Sequence, residues 1–132
     1  YYGSHFDVAF LPLRKQQMLL RSDISLTIFL FDPSSYDGGE LVLQFENRKV
    51  RIKLAAGGLV AYPSTMLHEV KEVTRGQRWV AITFIESQIS DERQRQMIYS
   101  LGEVSALEGL TMQPENRNRL DLVRHNLIRM WS

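Results

Sequence analysis

The chain has 132 residues, enough for one domain with its own core. Its 16 Lys and Arg stand against 15 Asp and Glu for a net charge of +1, which argues against nucleic acid or an anionic membrane as partner. The absence of cysteine excludes disulfides and thiolate metal sites, and no apolar run approaches the roughly 18 residues of a membrane span, so a soluble, cytoplasmic protein is expected.

The sequence opens at Tyr1 without an initiator Met or a signal-peptide pattern, and His5 and Asp7 follow at once. An N-terminal part is therefore expected to be missing. A strand carrying His5 and Asp7 would be an edge strand, or one covered by upstream residues. If that segment is extended, His5 and Asp7 point to the same side, because residues i and i+2 share a face.

From Tyr1 to about Gln88 the chain reads as short strands divided by turns. Ser25-Leu26-Thr27-Ile28-Phe29-Leu30-Phe31 is β-branched and aromatic, and it ends at Asp32-Pro33-Ser34-Ser35. Gly38-Gly39 precedes a second strand at 40–45, and Glu46-Asn47 separates it from the alternating segment Lys49 to Leu54, a hairpin pattern. Ala55-Ala56-Gly57-Gly58 forms the next turn, Leu59 to Tyr62 the next strand, and Pro63-Ser64 ends it ahead of His68 at a strand or loop edge. The last strand runs from Arg78 to Ile85, with Arg78, Val80, Ile82 and Phe84 on one face.

After Ser90 the period becomes helical. Ser90 is the expected cap, Asp91 and Glu92 suit the first turn, and Met97, Ile98, Leu101 and Val104 recur at helical spacing. A second helix follows Pro114, with Leu120, Val123, Leu127 and Trp131 as its apolar stripe. Strands followed by helices predict a mainly β fold: an antiparallel sandwich or barrel at 1–88 and a helical hairpin at 89–132 packed on it.

Two histidines and a carboxylate suit Fe(II) and leave coordination positions open for a co-substrate and O2, while zinc remains chemically admissible. His5-x-Asp7 alone is a weak motif. His68, following a Gly-Gly turn, a strand and a proline, stands where a stiff framework can position a third ligand, the alternative being a half-buried structural histidine. Arg78, if inward, is costly to bury without an anion, and its fork matches a carboxylate from either a dicarboxylate co-substrate or an internal acid. His125 lies among Arg119, Arg124 and Arg129 on a helix and reads as a solvated face. Asp37-Gly38-Gly39-Glu40 reads as turn chemistry, with glycines that also permit a close backbone approach to a site.

Taken together, Tyr2-Gly3-x-His5-x-Asp7, Arg21-Ser22-Asp23-Ile24-Ser25, Asp37-Gly38-Gly39-Glu40-Leu41, Tyr62-Pro63-Ser64-Thr65-x-Leu67-His68, Val73-Thr74-Arg75-Gly76-x-Arg78 and the closing Asn126 to Trp131 resemble the PKHD-type hydroxylases. These are prolyl-4-hydroxylase-like Fe(II)- and 2-oxoglutarate-dependent dioxygenases, and the likeness covers essentially the whole chain. It implies a double-stranded β-helix, or jelly roll, with iron on His5, Asp7 and His68 and the distal carboxylate of 2-oxoglutarate on Arg78. Ala55 and Gly58 depart from the family's usual proline and acid, both in a turn.

The activity so implied is hydroxylation of a small-molecule or peptidyl substrate with release of succinate and CO2, with ascorbate as an accessory reductant. Tyr2, three residues before His5, is placed to meet substrate. No nucleic acid or membrane partner is expected, and homo-oligomerisation is left open. The competing readings are a cupin-like metalloprotein that does not use 2-oxoglutarate, and a non-catalytic jelly-roll sensor or binding module.

Overall fold

The computed structural model describes residues 2–132, which divide into two compact units meeting between Glu86 and Ser87. In the first unit the strands are β1 (Tyr2–His5), β2 (Phe10–Leu13), β3 (Met18–Arg21), β4 (Ile24–Phe29), β5 (Asp37–Gly38), β6 (Leu41–Phe45), β7 (Arg48–Ile52), β8 (Leu59–Pro63), β9 (His68–Val70), β10 (Val73–Arg75) and β11 (Val80–Ile85). A short 3-10 helix at Pro33–Ser35 follows β4, started by Pro33 and capped by the Asp32 carboxylate, which accepts from the Ser34 N–H.

Two antiparallel sheets carry the first unit, in the orders β1-β9-β6-β7 and β11-β4-β8. The core joins them: Phe29 of β4 and Tyr62 of β8 pack with Leu41 and Leu43 of β6, all nearly inaccessible. Each such side chain contributes roughly 1.5–3 kcal/mol by leaving water, so Leu41→Ala should cost about 2–5 kcal/mol. Strand β4 shows how sequence sets orientation. Its alternation sends Ser25, Thr27 and Phe29 inward, and two of those three are polar.

Two small pairings complete the unit, β2 with β3 and β5 with β10. The β2–β3 hairpin gives little sequence signal. Pro12 lies inside β2, which a strand paired on one side tolerates, and the turn uses Gln17 at φ 52 instead of glycine. Pairing β5 with β10 sets Asp37 opposite Arg75 and Gly38 opposite Val73. Gly38 and Gly39 both have positive φ, and a Cβ on Gly38 would lie 2.0 Å from the Glu72 carbonyl oxygen.

The expected last strand begins at Val80, so Arg78 precedes it. Its inward face is also less uniform than the alternation suggests, since Val80 and Phe84 are half-buried while Ile82 is 61 % exposed.

The second unit is a helical hairpin of α1 (Glu92–Glu108) and α2 (Pro114–Trp131). The N-cap of α1 is Asp91, whose carboxylate accepts from the Gln94 N–H, and not the expected Ser90; a carboxylate also complements the positive helix end. Pro114 opens α2, where its missing N–H costs nothing. Leu120, Leu127 and Trp131 are partly buried, but Val123 of the expected stripe is 50 % exposed. The hairpin instead brings Gly102 of α1 against the Arg124 guanidinium and Ser105 to Asp121. No helix among the described residues is long and apolar enough to cross a membrane.

Candidate metal centre

Strand β1 lies at the edge of its sheet and pairs with β9, placing His5 opposite His68. His68 sits one strand further in, paired on its other side with Leu43 of β6, and is only 5 % exposed. The chain leaves β1 after His5, and the Asp7 N–H donates to the Ser64 carbonyl at 3.2 Å. That bond turns the Asp7 carboxylate back toward both rings. The His5 Nε2 lies 3.9 Å and the His68 Nε2 3.8 Å from the Asp7 oxygens. One ligand atom from each of the three residues falls within 4.8 Å of the others.

The tautomers follow from the partners. His5 Nδ1 lies 2.7 Å from the Gly3 carbonyl and His68 Nδ1 2.9 Å from the Met66 carbonyl. A carbonyl only accepts, so each Nδ1 carries a hydrogen, which leaves Nε2, on the Asp7 side, as the ring atom available to a metal. Two imidazoles and a carboxylate form a donor set suited to a divalent first-row ion.

Two serines hold the carboxylate. Ser25 Oγ donates to Asp7 Oδ2 at 2.5 Å, and Ser64 Oγ lies 2.7 Å from Ser25 Oγ. Since Ser25 spends its single hydrogen on Asp7, Ser64 is the donor to Ser25. Both serines are buried. Sequence reasoning assigned them no role, although a polar Ser25 on the face shared with Phe29 was the available signal.

Arg78 occupies a separate place near the same core. Its guanidinium carbon lies 5.6 Å from the centroid of the Phe29 ring, and its Nε is buried without a partner among the described residues. No acid pairs with it there. Burial pushes its pKa down, opposed by Tyr36 and Tyr62 facing it. Tyr62 connects the two regions: its ring meets His68 edge-on at 5.0 Å, and its phenol, raised by burial above all, senses both Asp7 and Arg78. Tyr2 stacks edge-on against His5 at 4.3 Å and is 62 % exposed.

Comparison with known proteins agrees with this geometry. Residues 1–86 match the 2OG-Fe(II) oxygenase superfamily, and the chain belongs to that superfamily. Among curated relatives, a PKHD-type hydroxylase of Sphingopyxis alaskensis is 52 % identical over 131 residues, covering 99 % of this chain and 59 % of the relative. A PKHD-type hydroxylase of Shewanella frigidimarina is 43 % identical over 136 residues, with 99 % and 59 % covered. The chain thus spans 59 % of the length of these relatives. A crystal structure of an oxidoreductase of the 2OG-Fe(II) oxygenase family from Burkholderia pseudomallei matches with TM-score 0.50 and 26 % identity, over 63 % of this chain and 36 % of that one.

Proposed function

We propose that this chain is the iron- and 2-oxoglutarate-binding part of a dioxygenase that hydroxylates a small-molecule or peptidyl substrate and releases succinate and CO2. The observation that carries this reading is the convergence of His5, Asp7 and His68 in the same unit as a half-buried Arg78 that no acid of the described residues neutralises. His5 and His68 would hold the metal through Nε2 and Asp7 through a carboxylate oxygen. Fe(II) with 2-oxoglutarate, when bound, supplies O2 activation and attack on a C–H bond.

The protein's own contribution is positioning. Ser64 and Ser25 fix the Asp7 carboxylate, and the Gly3 and Met66 carbonyls fix the two imidazoles. Arg78 would receive the distal carboxylate of 2-oxoglutarate, its fork matching two oxygens at once. Phe6, Phe10 and Thr65 line a groove beside Asp7, and the exposed Tyr2 stands against His5, so these residues are the proposed substrate side. The two sheets sharing one core support a jelly-roll reading of residues 1–88, with 89–132 as a helical extension.

Succinate release tests the proposal. Protein given Fe(II), 2-oxoglutarate and ascorbate should release succinate, and a member of a peptide and metabolite panel should raise the rate above the uncoupled background. Binding of metal without any binding of 2-oxoglutarate would favour the cupin-like alternative.

A further inference from the structure

We infer that Tyr36 is a second arm of the co-substrate pocket, its phenolic O–H and the Arg78 guanidinium together taking the distal carboxylate of 2-oxoglutarate above Gly39. This rests on the reading of Arg78 given above.

Tyr36 is 1 % exposed, yet its hydroxyl has no hydrogen-bond partner among the described residues. A buried hydroxyl left unpaired is uncommon and unfavourable. The same condition holds for Arg78 Nε. The two side chains meet over one glycine. A Cβ on Gly39 would lie 2.8 Å from Arg78 Cδ and 3.2 Å from Tyr36 Cε2, and Gly39 has φ +68, so only glycine leaves this space open.

Tyr36 is also held in place from its other contacts. Lys53 donates to the Tyr36 carbonyl at 2.7 Å, and its ammonium lies 4.1 Å from the centroid of the ring. Burial, the largest influence on the phenol, raises its pKa and keeps the hydrogen in place for donation. A carboxylate has about four lone-pair positions, so it can accept the Arg78 fork and one phenol together. One anion therefore satisfies both unpaired donors.

The test compares wild type with Tyr36→Phe, each loaded anaerobically with Fe(II). Affinities are measured for Fe(II), for 2-oxoglutarate and for pyruvate, a 2-oxo acid without the distal carboxylate, and thermal midpoints are taken with and without 2-oxoglutarate. The variant is expected to bind 2-oxoglutarate roughly tenfold or more weakly, with Fe(II) and pyruvate affinities unchanged. Its midpoint without co-substrate should be equal or higher, because an unpaired hydroxyl has been removed, and the upward shift caused by 2-oxoglutarate should shrink.

Unchanged 2-oxoglutarate affinity, equal losses for both 2-oxo acids, or a variant that fails to fold would each overturn the inference and leave the proposed function standing. Failure of iron-loaded wild type to bind 2-oxoglutarate would remove the proposed function, and the inference with it.

Discussion

His5 and His68 face each other across the β1–β9 pairing with ring centroids 4.2 Å apart, and each donates its Nδ1–H to the carbonyl two residues earlier in its own strand or turn. The backbone that pairs the strands thus also sets both tautomers. The two positions differ in burial, 26 % of the side chain being exposed for His5 and 5 % for His68. His5→Ala and His68→Ala should both lose metal binding. His68→Ala should additionally lose about 1–3 kcal/mol of stability in chemical denaturation, since it empties a packed polar position, whereas His5→Ala should stay within about 1 kcal/mol of wild type.

The Ser64–Ser25–Asp7 chain makes a graded prediction. Ser25→Ala removes the direct bond to the carboxylate and should weaken metal binding by roughly 10–100-fold. Ser64→Ala leaves that bond in place and should have a smaller effect. Fe(II) or Co(II) titration of the two variants checks the order, and a larger loss in Ser64→Ala would contradict the relay as drawn.

Arg78→Ala should weaken 2-oxoglutarate by at least tenfold while changing iron affinity little, because it removes a charged contact and no metal ligand. Arg78→Lys should recover part of the loss, since a lysine keeps the charge without the two-point fork. Equal losses of iron and co-substrate in calorimetric titration would mark Arg78 as structural.

The Asp37–Arg75 pair clamps the β5–β10 pairing next to Gly38 and Gly39, its closest atoms being 2.6 Å apart. The hydrogen bond from Arg75 holds the Asp37 carboxyl below the usual carboxylate range. An acid lowered on folding adds stability above its unfolded pKa of about 4, and that stability is lost as pH falls through the folded value. Arg75→Met should therefore be slightly less stable than wild type near pH 6–7, with the gap closing as pH falls below the usual carboxylate range. Both side chains are more than half exposed, so salt should also shrink the gap.

Long β-branched and alternating segments were legible in the sequence, and β4, β6, β7 and β8 form within a residue or two of their expected places. The β2–β3 hairpin was not, because Pro12 and a glycine-free turn hide it, and β5 and β10 are too short for any period. The convergence of His5, Asp7 and His68 could be expected from residue type and order. Ser25, Ser64 and Tyr36 could not be assigned roles, because what marks them is which atoms they meet or leave unmet far along the chain, Ser25 meeting Asp7 18 residues away and Ser64 39 residues away. Ser90 lost its capping role to Asp91, since two adjacent residues of capping type differ only in the backbone angles they adopt.

The central claim is that His5, Asp7 and His68 hold an iron ion able to chelate 2-oxoglutarate. It is tested most directly by anaerobic visible spectroscopy of the protein with Fe(II) and 2-oxoglutarate. Wild type should show the weak charge-transfer band of a chelated 2-oxo acid, and His68→Ala should show none. A band that persists unchanged in His68→Ala, or no band in iron-loaded wild type, would contradict the account.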